Sequence, residues 1–338
     1  MVTEFHPVYS PRFEVTIGGT RYQEVDGLVR DVVVENTIDG ADLCTFTLNH
    51  AFDLSREDFA ELNWDDIEPG TDLEVSVGWG GKGSIEPVFV GTSHSIQTEF
   101  STDMGASIAV SGYGPLHQMM RGVVERSWSD TSVVDVAQEI LNEYFSNVTV
   151  EGNASQRNRI IQHNRNDYRF LRELAEEYGF EFYADMDTVY FTPRDTIRTE
   201  DPDTTLTYGN TLDTFDAEIT TANQLRSVEV RYWDMQQEKA IVGTAEQDEG
   251  EGKEVFRIAC DSQEEADDIA ASKLSSSTME RADGTGETDG IPALTPGTVI
   301  RLEGLGKRFT SNYYVTRVTH RIGGSGYRTS FDVTELPS

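Results

Sequence analysis

Apolar and polar residues alternate with a period of two over residues 13–17, 73–77, 108–110, 228–232, 299–302 and 313–318. That is the pattern of strands with one buried face, so the chain reads as mainly β. The period becomes helical between about residues 121 and 200. Val133, Val136, Ile140 and Leu141 fall on one face, with a cap expected at Asp130 or Thr131. A second stripe, Phe170, Leu171, Leu174 and Tyr178, starts near Asn166 or Asp167, and Gly179 is placed to end it. The following FEFYADMDTVYFTP reads as a hairpin turning at residues 185–187.

The strand pattern recurs. Pro69-Gly70-Thr71 leads into LEVSVGWG, VFVGTSHSI and ASIAVSGY, and Pro296-Gly297-Thr298 leads into VIRLEGLG, YYVTRVTHRI and YRTSFDVTE. Val90 and His94 are aligned with Val315 and His320, with one residue of slippage. Each turn follows a run that opens like a capped helix, Ser55 with Asp58 and Ser262 with Glu265. Shared order of four landmarks implies an internal duplication. The expected organisation is a β-domain over 1–120, a mixed α/β insert over 121–200, and a second β-domain over 201–338 with a helical segment near 262–281.

Charge changes the picture of the surroundings. The 338 residues hold 60 Asp plus Glu against 27 Lys plus Arg, a formal net charge of -33. The acids are spread along the chain, and lysine occurs only at 82, 239, 253, 273 and 307. Such a surface repels itself in dilute buffer and is screened where molar salt shortens the Debye length to roughly 3 Å. The composition looks like that of a haloarchaeal protein. It argues against specific nucleic-acid binding, because no basic patch is present to neutralise phosphates. Neither a long apolar run nor a signal-peptide pattern at MVTEFHPVYSPRF is present, so no membrane insertion is expected. Cys44 and Cys260 sit in apolar contexts expected to bury free thiols.

One segment carries a family likeness. Gln162, Asp167, Tyr168, Phe170, Leu171, Leu174, Ala175, Glu176, Gly179, Phe182, Tyr183 and Asp187 follow one another as in phage late control protein D and tail hub proteins. The N-terminal hub of type VI secretion spikes has a related segment. The resemblance spans nearly the whole chain and is strongest after about residue 155. It implies two tail-tube-like β-barrel domains around the α/β insert, in a trimer whose six barrels form a pseudo-sixfold ring. Such a baseplate hub joins a sixfold tail tube to a threefold spike. Expected partners are therefore itself as a homotrimer, the tail tube protein and other baseplate subunits. A separate spike protein is also expected, since the sequence given closes at FDVTELPS. The expected location is the tail of a virus or contractile injection particle assembled in the cytoplasm of a halophilic archaeon.

Chemistry points the same way. No HExxH, CxxC or Gly-x-Ser-x-Gly pattern occurs, and the histidines at 6, 50, 94, 117, 163 and 320 have no ligand spacing. GWGGKG at 78–83 formally fits a phosphate loop but is followed by a strand, so its glycines read as hairpin residues needing positive φ, like Gly304 and Gly306. Glu176 and Glu177 are adjacent on a helix and read as solvated. DADMD and ADGTGETDG lack calcium-loop spacing. No enzyme, cofactor or metal is expected. The alternatives are a tail-tip hydrolase, for which no spare segment exists, and a carbohydrate-binding attachment protein using Trp64, Trp79 and Trp233. The second would leave the duplication unexplained.

Overall fold

The computed structural model describes residues 10–336 apart from 24–25, 50–51, 54, 60–63, 65–66, 81–84, 102–104, 198–200, 220–224, 236–237, 249 and 280–281. The first strands are β1 (Pro11–Ile17), β2 (Thr20–Gln23), β3 (Val29–Thr37), β4 (Leu43–Leu48), β5 (Phe52–Asp53), β6 (Asp58–Phe59), β7 (Asp72–Trp79), β8 (Glu86–Ser101) and β9 (Gly105–Tyr113). They pair in the order β3-β4-β9-β8-β7-β1-β2. Alternation aims Val15, Ile17, Val34, Phe46, Val75, Val77 and Val110 into one core, where they are almost wholly buried.

A 3-10 turn, Pro115–Met120, leads into β10 (Val124–Thr131), α1 (Val133–Tyr144), β11 (Asn147–Val150), β12 (Arg157–Arg165), α2 (Asp167–Tyr178), β13 (Phe180–Asp185), β14 (Thr188–Pro193) and the short α3 (Arg194–Ile197). The hairpin turns where expected, with Asp185 opposite Thr188. Both helices bury their predicted stripes in a second core, which also draws in Leu116 and Met119. The cap of α1 is Ser132 rather than Asp130 or Thr131. Its hydroxyl accepts from the Asp135 N–H while Asp135 accepts from Ser132 N–H, a reciprocal box.

The remaining elements are β15 (Thr204–Thr207), β16 (Thr214–Glu218), β17 (Ser227–Asp234), β18 (Lys239–Glu246), β19 (Lys253–Phe256), α4 (Gln263–Met279), β20 (Asp283–Asp289), β21 (Val299–Glu303), α5 (Gly306–Phe309), β22 (Ser311–Gly323) and β23 (Gly326–Glu335). β16-β20-β23-β22 repeats the order β3-β4-β9-β8, and β21 stands beside β22 as β7 stands beside β8. β22 also pairs with β3, which joins the two sets into one 13-stranded sheet. All six predicted strand runs lie within β1, β7, β9, β17, β21 and β22.

Several expectations are corrected. The run at Ser55 is no helix among the described residues: Ser55 N–H and Oγ–H donate to Asp53 inside the β5–β6 turn. Ser262 does cap α4, accepting from Glu265 N–H at 3.1 Å. That helix packs on a separate three-stranded sheet, β18-β17-β19, with its own core of Val228, Val230, Ile241, Ile269 and Leu274. Within ADGTGETDG, residues 283–289 form the strand β20. Gly78 and Gly80 lack positive φ, whereas Gly304 and Gly306 have it, and Gly81 and Gly83 lie outside the described residues.

Candidate functional site

The family-like segment is a packing frame. Gln162 on β12 and Asp167 at the start of α2 are both about 1% exposed, and Gln162 Nε2–H donates to Asp167 Oδ1 at 2.7 Å. The other carboxylate oxygen accepts from Tyr144 OH at 2.6 Å and Arg126 Nη2 at 3.3 Å. A buried carboxylate is thus held by three donors, as burial of such a group requires. Burial, and then the hydrogen bond to Asp167, push the Tyr144 hydroxyl up to about 12. Tyr144 therefore stays a donor throughout the physiological range.

The apolar members follow from the helical period. Phe170 stacks on Trp128 with ring centroids 5.7 Å apart, while Leu171, Leu174 and Ala175 are buried behind it. Tyr168 leans on Phe182 at 5.6 Å. Gly179 ends α2 at φ 77°, and its N–H donates to Ala175 O. Tyr183 and Tyr190 stand outside this local core and stack at 5.1 Å in a cluster with Ile38, Val299, Tyr314 and Leu336, facing the large sheet. Tyr178 bridges the middle core and that of α4, and its hydroxyl donates to Glu265 at 2.5 Å.

The two PGT turns occupy matching places. Gly70 N–H donates to Ser93 O at 2.7 Å and Gly297 N–H to Val315 O at 2.9 Å. The following threonine carbonyl accepts the return bond in both, from Ser93 N–H to Thr71 and from Val315 N–H to Thr298. Pro69 and Pro296 lead into these turns. Val315 therefore matches Ser93, and His320 matches Thr98, which replaces the alignment with Val90 and His94. A bulge follows at the same point in each strand, between Ser93 and Ser95 and between Val315 and Arg317. The motif also meets the repeat at this turn, because the Tyr183 ring lies 2.7 Å from where a Cβ on Gly297 would stand.

Sequence reasoning missed the arginines that tie these parts together. Arg172 on α2 donates from Nη1 to Ile38 O at 2.8 Å and pairs with Asp39 just beyond β3. Arg157 on β12 pairs with buried Glu265 of α4 at 3.0 Å and donates to Ala259 O at 2.8 Å. No spacing rule singles out either residue. The three tryptophans of the attachment alternative have separate surroundings. Trp79 donates to Gly290 O at 2.8 Å beside Tyr327, Trp64 leans on Phe59, and Trp233 stands 57% exposed on β17 in the separate small sheet. His94 packs edge-on against Tyr113 and His117. Among the described residues no group of three or more His, Cys, Asp or Glu is placed to hold a metal ion, and no helix is long and apolar enough to cross a membrane. Cys44 and Cys260 are buried and free.

This architecture is that of phage-type tail proteins. The 43 kDa tail protein of prophage MuSo2 from Shewanella oneidensis superposes with a TM-score of 0.74 at 12% identity, covering 96% of this chain and 98% of that one. The tail protein of Neisseria meningitidis MC58 gives 0.71 at 13%, covering 97% of each chain. The E. coli c3393 protein, a component of the type VI secretion system, gives 0.63 at 13%, covering 92% of this chain and 74% of that one. At such identities the likeness is one of fold. By sequence, the chain belongs to the Alg8 N-terminal domain family, whose model matches residues 9–324. None of the curated proteins matches it.

Proposed function

We propose that the protein is a non-enzymatic structural hub of a phage-like tail or contractile injection machine, akin to late control protein D. In this reading residues 1–120 and 201–338 supply two tube-like units related by duplication, and residues 121–200 brace them. Three copies form a pseudo-sixfold ring between a sixfold tail tube and a threefold spike, with the tube, the spike and other baseplate subunits as neighbours. The observation that carries the reading is the repeated strand order β3-β4-β9-β8 and β16-β20-β23-β22, in a chain that shares its fold with tail proteins. The net charge of -33 supports assembly in concentrated salt, as in a halophilic archaeon, where repulsion between copies is screened.

Light scattering of the full chain tests this at about 2–3 M and about 0.2 M salt, a contrast chosen to vary screening. The expected result is a trimer, or a ring of trimers, at high salt that loosens at low salt. A monomer at every salt and concentration overturns the self-assembling hub.

A further inference from the structure

The internal junction between the two strand sets describes a second junction. The outer part of β22, residues 317–322, pairs with residues 32–37 of β3, while its inner part pairs with β21. β8 divides in the same way. Residues 86–92 pair with β7, and among the described residues no strand covers that side of residues 95–100. β3 lies between β4 and β22, whereas its counterpart β16 pairs, among the described residues, with β20 alone.

Burial follows the covering strand. Val318, Thr319, His320 and Ile322 are buried on β22, while the matching Gln97, Thr98 and Phe100 on β8 are exposed and Ile96 is half-buried. Two large apolar side chains are left in water at these edges. Phe100 is 61% exposed although its ring touches Phe52 and Phe59, and Ile219, just past β16, is 44% exposed. Unpaired strand edges of this kind are templates for another chain.

We propose that residues 215–219 of one copy pair antiparallel with residues 96–100 of β8 in a second copy, repeating between molecules the β3·β22 junction within each. The inference rests on the ring reading above and adds its register. The shared turn bonds and bulges match Ser93 to Val315, and the β3–β4 and β16–β20 registers match Val33 to Asp216 and Glu35 to Glu218. Carrying over Arg321 opposite Val33 and Thr319 opposite Glu35 sets Glu99 opposite Asp216 and Gln97 opposite Glu218. Phe100 then faces Phe215, Thr98 faces Ala217 and Ile96 faces Ile219. One face of the junction is apolar and the other polar, as alternation in a sheet demands. Each copy offers one edge of each kind, so the contact is head-to-tail and builds a ring where the rotation closes.

The polar face carries a consequence. Glu99 and Asp216 are like charges directly opposite each other, which disfavours the pairing in dilute salt and is relieved by screening. The internal junction has no such conflict: Arg321 faces Val33, and Arg317 pairs with Glu35 at 3.5 Å.

The test mixes two single variants of the full chain, Gln97→Cys and Glu218→Cys, in equal amounts at about 2–3 M salt under mild oxidation. Cross-strand neighbours fall within the roughly 4.4–6.8 Å Cα separation that a disulfide spans. The expected product is a dimer linked from residue 97 to residue 218, identified by mass spectrometry and not formed by either variant alone. Light scattering of each variant reports whether it still assembles. As a second, milder probe, Glu99→Gln should tighten association about two- to fivefold at about 0.2 M salt, with little gain at high salt. Assembled variants without the 97–218 link, or Glu99→Gln that assembles no more readily than wild type in dilute salt, overturn the register and leave the ring reading standing. A wild-type chain that stays monomeric at every salt overturns both.

Discussion

β4 and β20 hold the same place in the two strand sets, β4 between β3 and β9 and β20 between β16 and β23, yet their inward positions have opposite chemistry. β4 points Cys44, Phe46 and Leu48 into the core, all 2% exposed or less. β20 has Gly284, Gly286 and Thr288 at those positions. The volume comes from neighbours instead: a Cβ on Gly284 would meet the Phe215 ring at 2.5 Å, and one on Gly286 the Phe331 ring at 2.3 Å. Thr288 satisfies its hydroxyl by donating to Thr211 O at 2.6 Å. Close packing constrains the total volume at a position, and either the strand's own residue or its neighbour's ring can supply it.

The largest effect should come from removing the filling group in either set. Phe46→Ala and Phe331→Ala should each cost about 3–5 kcal/mol, read by urea unfolding in concentrated salt. The contrast sharpens at Gly286. Gly286→Leu alone should cost about 1–3 kcal/mol by overpacking against Phe331, yet should partly rescue Phe331→Ala by entering the vacated space. Additive losses in the double variant would show that the ring and the glycine do not share one volume.

The next largest effect sits one residue before these strands. Asp42 and Ala282 are equivalent: the carbonyl of the first accepts from Gly114 N–H and that of the second from Glu335 N–H, both at 2.8 Å. Ala282 fills its buried site without cost. Asp42, 5% exposed, brings a carboxyl whose Oδ1 accepts from Thr37 N–H at 2.9 Å. Burial pushes this carboxyl up to about 7, against the lowering effect of the Thr37 and Asn36 hydrogen bonds. A carboxyl raised on folding binds its proton more tightly in the native state, so its contribution to stability falls as pH rises from about 4 to about 7. The span corresponds to a loss on the order of 4 kcal/mol. Asp42→Asn keeps an acceptor for Thr37 and should remove that slope, making the variant more stable than wild type at pH 8 but not at pH 4. Parallel pH curves for the two proteins would place the titration elsewhere.

The same comparison explains what could be read before the fold was seen. α1 and α2 were legible because their own residues carry the apolar stripe, and β7 and β22 because their own residues alternate. β20 was not, since its strand character resides in Phe215 and Phe331, distant in sequence. The Ser55 run mimicked a capped helix, but Asp53 captures Ser55 within a tight turn, a competition that spacing alone does not decide. Register across the repeat was misjudged for a related reason: His94 resembles His320 as a residue, while the backbone bonds of Gly70 and Gly297 align Ser93 with Val315. In the frame around α2, Phe170 to Gly179 followed from periodicity. Arg157 and Arg172 reach across chain separations that no local pattern encodes.

The smallest effect separates the two PGT turns themselves. Gly70 and Gly297 have φ of 96° and 85°, a region that costs a residue with a Cβ about 1–2 kcal/mol. Space distinguishes them: nothing lies within 4 Å of a Cβ at Gly70, whereas the Tyr183 ring lies 2.7 Å from one at Gly297. Gly70→Ala should therefore cost about 1–2 kcal/mol, the conformational cost alone. Gly297→Ala should cost about 2–4 kcal/mol, because the ring must also move. Introducing Gly297→Ala into a Tyr183→Leu background, measured by thermal unfolding against Tyr183→Leu itself, should bring its cost down to that of Gly70→Ala. Equal costs at the two turns in the wild-type background would mean that Tyr183 yields freely, and the contact joining the middle segment to the second turn would then be adjacency without constraint.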